Sequence, residues 1–299
     1  MHVSYFLELY ESGYREFEGV HLHGANLDSR ILVSVNLAKA NLTGAYLRRT
    51  FLTQANLSQA ELHWADLSYV KMSESQLISA DLTKAILKGA FLVKANLSGA
   101  RLSGANLRGA NLRDANLRNA NLCGANLQGV NLRGANLSGA NLSWANLSGA
   151  RLSGAELDQT RLDNVNFENA YLNGLDLQNL NLSGINLSSA KLNGANLQGA
   201  NLAIANLAHA SLRGVNLTEA NLAGSNLTEA SLWKARLDRA NLSRADCSQA
   251  NLYEASLTEA QLHDTDLSDA ILPNILTAYP SAESSPANAA SPVPVALRF

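Results

Sequence analysis

The sequence predicts an all-β fold in which closed coils stack along one axis. Three observations predict it. From residue 17 to residue 272 every fifth position is apolar; of these 52 positions 48 are Leu, and the others are Phe17, Met72, Phe167 and Cys247. Two residues before each stands a small residue, Ala in 36 of the 52 cases. The register never slips. A period of five matches neither the 3.6 of a helix nor the 2.0 of a strand, so no flat element keeps these leucines on one face. A coil with four five-residue sides does, because each side then sends its leucine to a common axis. Such a unit buries nothing alone and must stack on its neighbours, which is the logic of a solenoid.

Units such as Ala95-Asn96-Leu97-Ser98-Gly99 and Ala145-Asn146-Leu147-Ser148-Gly149 carry the pattern A-(N/D)-L-x-x. With tens of in-register copies over most of the chain, the sequence resembles the pentapeptide-repeat proteins. That resemblance implies a right-handed quadrilateral parallel β-helix with Leu and Ala inward and the other three residues outward. Fifty-two units then make about 13 coils, or a rod about 60 Å long at the parallel-strand spacing. Each buried Leu contributes about 1.5–3 kcal/mol. Ala keeps a shared interior from overfilling, and Gly104, Gly109 and Gly124 suit corners at positive φ.

Taken in chain order, residues 1–14 form a capping segment with a short helix over 4–12. Ser4 is its N-cap, Phe6, Leu9 and Tyr10 share a face, and Gly13 stops it. The stretch from Phe6 to Phe17 is similar to the opening of cyanobacterial pentapeptide-repeat proteins, one of which regulates heterocyst differentiation by binding another protein. Residues 15–274 carry the repeat. Residues 275–299 follow as a cap remnant, with Ile275, Leu276 and Tyr279 over the last coil, and a Pro-, Ser- and Ala-rich tail expected to be disordered. One segment departs from the rule. Between residues 160 and 185 the small inward positions become Thr160, Val165, Leu175, Leu180 and Ile185, and the extra volume must widen or retwist those coils.

Composition excludes several classes. The net charge is −2, with no basic or acidic run. No apolar stretch is long enough to span a bilayer, and the N-terminus shows no positively charged region followed by an apolar one. A cytoplasmic protein is expected. Cys123 should point outward and Cys247 inward, so neither a disulfide nor a metal pair is expected. Among the histidines His23, His63 and His263 share a side, but His23 and His63 lie two coils apart, about 10 Å by the strand spacing. That exceeds the reach of metal bonds of about 2 Å. Serines mostly follow Leu as part of the repeat, without a G-x-S-x-G elbow, and the glycines make no phosphate loop. No catalytic residue, cofactor or metal is expected, and no enzyme activity.

Sorting residues modulo twenty gives a surface map. The side centred on 32, 52, 72 and onward carries nine basic residues (Arg30, Lys71, Lys94, Arg113, Arg133, Arg151, Lys191, Arg213 and Lys234) against Glu74, Asp114 and Glu254. Arg30 and Arg15 occupy nominally inward positions. The same side bears outward apolar residues near its start, Ile31, Val33, Phe51, Phe91 and Val93, with Tyr46 and Ile86 adjoining and Trp233 and Tyr253 farther along. Apolar surface beside positive charge suits protein docking. The reading is a non-enzymatic scaffold or regulator that binds an unidentified protein through one side of a rigid β-helix. The candidate contacts are Ile31, Val33, Phe51, Phe91, Val93, Arg113, Arg133, Arg151, Trp233 and Tyr253. A DNA-mimicking modulator of a topoisomerase such as gyrase is the alternative implied by the resemblance, although a mimic calls for an acidic face. Direct nucleic-acid binding ranks below both, since the excess positive charge is sparse beside a duplex carrying one charge per ~1.7 Å. A small-molecule substrate is not expected.

Overall fold

A computed structural model describes residues 1–273. The expected cap over Ile275, Leu276 and Tyr279 and the tail to residue 299 lie outside the described residues. The five-residue unit writes itself into the backbone. At every fifth residue from 19 to 269 φ is positive, whether the residue is Gly, as at Gly104 (φ 64°), or not, as at Lys84 (φ 56°). The amide three positions after each Leu closes a turn back onto it, as in Ala95 N–H to Leu92 O at 3.0 Å. Negative and then positive φ at the two central residues is the sign pattern of a type II turn.

These turns return the chain alongside itself twenty residues later. One unit shows the whole hydrogen-bond account. Asn96 N–H donates to Ser75 O (2.9 Å), Leu97 N–H to Asn116 O (2.7 Å) and Gly99 N–H to Arg118 O (2.8 Å), while Ala95 closes its turn. Single-residue parallel bridges follow the same spacing from Glu16 with Asn36 to Asn251 with Ile271. Each Leu and its preceding Ala face inward, and through most of the chain both are fully buried. Polar residues at inward positions are satisfied locally: Thr50 donates to Leu27 O (2.7 Å) and Ser75 to Met72 O (2.7 Å).

The expected all-β, right-handed quadrilateral parallel β-helix is corrected by this backbone. Among the described residues there is no strand; the single helix, α1 (Val3–Glu11), is the one regular element. The reason is the turn. Two of every five residues lie in it, and its positive φ breaks any extended run before it reaches strand length. The descriptions β-helix and solenoid are therefore replaced by a ladder of isolated bridges and turns. The reading of a partner bound along one side of a rigid β-helix falls with them, because there is no continuous strand-built wall to present. The gyrase-directed DNA mimic rested on the same wall and falls for the same reason.

α1 sits at the start of the ladder. Its N-cap is His2 rather than Ser4, with no side-chain capping bond, and Ser4 Oγ meets His2 Nδ1 at 2.6 Å. Gly13 (φ 97°) ends it, with Gly13 N–H on Tyr10 O and Tyr14 N–H on Leu9 O, the paired bonds of a Schellman close. Phe6 is fully buried and meets the Phe17 ring edge-on at 4.5 Å. Arg15 ties the helix to the first bridges, donating to Tyr10 O (2.7 Å) and stacking on the Tyr10 ring (3.9 Å).

The ladder lapses in one place among the described residues. No bridge joins Glu156 to Asp176 or Arg161 to Asn181, though the flanking pairs Arg151 with Tyr171 and Asn166 with Asn186 are kept. Between Gly154 and Asn186 eight consecutive inter-lap hydrogen bonds of the regular pattern are absent. Here the inward positions hold Leu175, Leu180 and Ile185 in place of Ala, and Leu180 is only partly buried. An overfilled interior pushes one lap from the next and opens a wedge.

Candidate interaction site

The surface is organised by the residue that precedes Leu. When that residue is Asn, its Oδ1 accepts the one amide the ladder leaves over, as in Ser58 N–H to Asn56 Oδ1 (3.1 Å). Its Nδ2 then donates to the Asn twenty residues earlier, as from Asn116 to Asn96 (3.0 Å) and from Asn221 to Asn201 (3.0 Å). Asp performs the first task and not the second. At Asp246 the Ser248 hydroxyl (2.6 Å) and the Ser248 N–H (2.9 Å) hold the carboxyl below its ordinary range.

Over four consecutive laps this position carries Ile31, Phe51, Lys71 and Phe91, bridged each to the next. The run has no Asn or Asp to cap its turns. Three of the four side chains are exposed apolar groups, Ile31 at 65 %, Phe51 at 43 % and Phe91 at 39 %. Lys71 Nζ lies 3.2 Å from the centre of the Phe91 ring. Val33 and Val93 are half-buried, and the Val33 carbonyl accepts the Tyr10 hydroxyl of α1 (3.0 Å). Arg113 and Arg133 follow Val93 at twenty-residue steps and are exposed, with Arg113 Nε 3.2 Å from Asp114. Arg151 is exposed beyond them and faces the Tyr171 ring at 5.8 Å. Trp233 and Tyr253 form a separate pair, Trp233 lying seven laps beyond Val93. Trp233 is half-buried between Arg213 (4.4 Å) and Lys234 (4.7 Å), so its faces are already engaged.

Sequence reasoning passed over two features. It gave the Asn residues no role, since their partners lie twenty residues away and appear only once the laps are closed. It also missed Trp64, Trp144 and Ile204, the most exposed large apolar side chains outside the site, which stand at the turn position often held by Gly. That substitution at a fixed place in the repeat was the available signal. Of the cysteines, Cys123 is half-buried and Cys247 buried; burial, with Asp246 and Asp266 nearby, pushes the Cys247 thiol up to about 12. Among the described residues no group of His, Cys, Asp and Glu is placed to hold a metal ion, and no helix is long and apolar enough to cross a membrane.

A repeat of five residues, with Leu inside, a capping Asn and a positive-φ turn, defines a class of proteins built wholly from that unit. The chain belongs to the pentapeptide-repeat family, whose model matches between residues 16 and 73 and between residues 75 and 272. Comparison with curated proteins gave no match. Among solved structures it is similar to HetL, a pentapeptide repeat protein involved in heterocyst differentiation regulation from the cyanobacterium Nostoc sp. strain PCC 7120. The two share 33 % identity over 92 % of this chain and 98 % of HetL, with a TM-score of 0.36. Rfr23 of the cyanobacterium Cyanothece 51142 shares 32 % identity over 54 % of this chain and 99 % of that one, with a TM-score of 0.23. QnrB1, a plasmid-mediated fluoroquinolone resistance protein, shares 17 % over 76 % of this chain and 91 % of that one, at 0.31. The assignment to the family rests on the sequence matches and not on these superpositions.

Proposed function

We propose that this protein is a regulator that acts in the cytoplasm by binding a protein partner at the local patch formed by Ile31, Phe51 and Phe91. Lys71 lies within the patch, and Val33, Val93, Arg113, Arg133 and Arg151 form its margin. The single observation that carries the reading is the run of four laps in which the capping residue gives way to exposed apolar side chains. Folding gains nothing from that exchange: it loses turn caps and leaves apolar surface in water. A partner that covers the rings would recover that surface, and aromatic side chains are the usual anchors of such contacts. The margin favours a partner with apolar side chains flanked by carboxylates. Arg113 beside Asp114 and Lys234 beside Glu254 (3.4 Å) already have carboxylate partners at the surface, which thins the positive charge left for a nucleic-acid track. HetL is involved in regulation, and regulation is also the role proposed here; neither a small-molecule substrate nor a cofactor belongs to it. Tyr253, exposed beside the already engaged Trp233, enters as a second, smaller contact.

The test compares affinity capture from native lysate by the wild type, by Phe51→Asp/Phe91→Asp and by Trp64→Asp, an exposed aromatic on another side. The reading expects the partner to be kept by the wild type and Trp64→Asp and lost by the double variant, with the folded signal of all three unchanged. Retention by the double variant refutes it.

A further inference from the structure

The wedge between residues 154–164 and 174–184 presents unpaired main chain on both walls. On one wall the Leu157, Gln159 and Leu162 amides have no partner, and on the other the Asp176 and Asn181 amides have none. Elsewhere each of these groups is bonded across laps, as Leu137 N–H is to Glu156 O (2.8 Å). Where residues 155–158 face residues 176–180 the wedge opens into a hollow of about 570 Å³, lined by the Leu157 and Asp176 ends of the two edges and not by Gln159, Leu162 or Asn181. Its lining is chemically one-sided. Glu156, Asp158 and Asp176 face it against a single cation, Arg118, and the floor is apolar where Ala155, Leu157 and Leu180 reach the opening. Leu180, an inward residue, is partly exposed there.

We propose that this wedge receives an extended, basic peptide segment of a partner protein. An extended chain offers N–H and C=O groups alternately to its two flanks, which is what two unpaired edges require. Alternate side chains point in opposite directions, so one set meets Leu180 and the other meets the carboxylates. The charge of the lining selects Lys or Arg for that second set. The site lies far along the repeat from the Ile31–Phe51–Phe91 patch and stands independently of it.

The probe is the synthetic peptide acetyl-Lys-Val-Lys-Val-Lys-amide, titrated into the full chain by calorimetry. Its backbone N-methylated form and its Glu-for-Lys counterpart serve as controls. Saturable binding of the basic peptide alone is expected, with the N-methylated form failing for want of main-chain donors. The surface variant Glu156→Gln/Asp158→Asn/Asp176→Asn leaves the core intact and should bind the basic probe at least about tenfold more weakly. The variant Leu175→Ala/Leu180→Ala/Ile185→Ala restores the small inward residues, closes the ladder and should abolish binding. The proposal is overturned if the basic peptide does not bind, if the acidic or N-methylated peptide binds equally well, or if the surface variant binds undiminished. Self-association of the chain through this region, without peptide binding, also overturns it in favour of a second copy.

Discussion

At the scale of the residue the fold rests on the inward Leu, the capping Asn and the turn position of positive φ. Leu was legible from the sequence because its role needs only a period. Asn was not, because its Nδ2 and Oδ1 partners depend on laps meeting twenty residues apart. Asn116→Ala removes both the acceptor for Arg118 N–H (3.1 Å) and the donor to Asn96. It should cost about 1–2 kcal/mol in urea unfolding, whereas Ser98→Ala, at an outward turn position, should stay within about 0.5 kcal/mol. Ile204 is a β-branched residue at φ 51°, a conformation it adopts only under strain. Ile204→Gly should therefore raise stability by about 1 kcal/mol in the same assay. Cys247 has its thiol pKa raised by folding to about 12. Its contribution is complete below the unfolded thiol value and is lost as pH climbs toward 12. Unfolding midpoints should fall over that interval, less steeply in Cys247→Ala. A thiol reagent should label Cys123 in the native protein and Cys247 only on unfolding.

At the scale of the element, α1 was legible from its apolar face and from Gly13. Its start was misplaced by the attraction of Ser as an N-cap, while the chain uses His2 and draws Ser4 inside. Its stability comes from what it covers rather than from its caps. Nine residues are too few for an independent helix, and Phe6 packed on Phe17 supplies the anchor. Phe6→Ala should cost about 3–5 kcal/mol, read as a lower denaturant midpoint. Arg15 was legible as an anomaly at an inward position. Its purpose, holding the Tyr10 carbonyl and ring, required the helix to be in place.

For the whole molecule, the period announced laps of twenty residues and the inward set that fills them. It did not announce that the laps would be joined by single bridges in place of strands, because the pattern of side chains is the same in either case. The φ of every fifth residue decides it. The apolar residues of the candidate patch were legible as departures from the repeat, and the bridges from Ile31 to Phe91 place them on successive laps. Arg113, Arg133 and Arg151 lie farther along, and Trp233 and Tyr253 form a group of their own. Large inward residues between 160 and 185 signalled a local expansion, but the side on which it opens depends on which bonds yield first.

From residue 17 to residue 252 the amide at every inward Leu position is held by the next lap, except at the wedge. Residue-resolved hydrogen exchange tests it most directly. Leu157, Gln159 and Leu162 should exchange far faster than Leu137, Gly139 and Leu142, their counterparts one lap earlier, which are bonded at 2.8–2.9 Å. Uniform protection across both laps would contradict it.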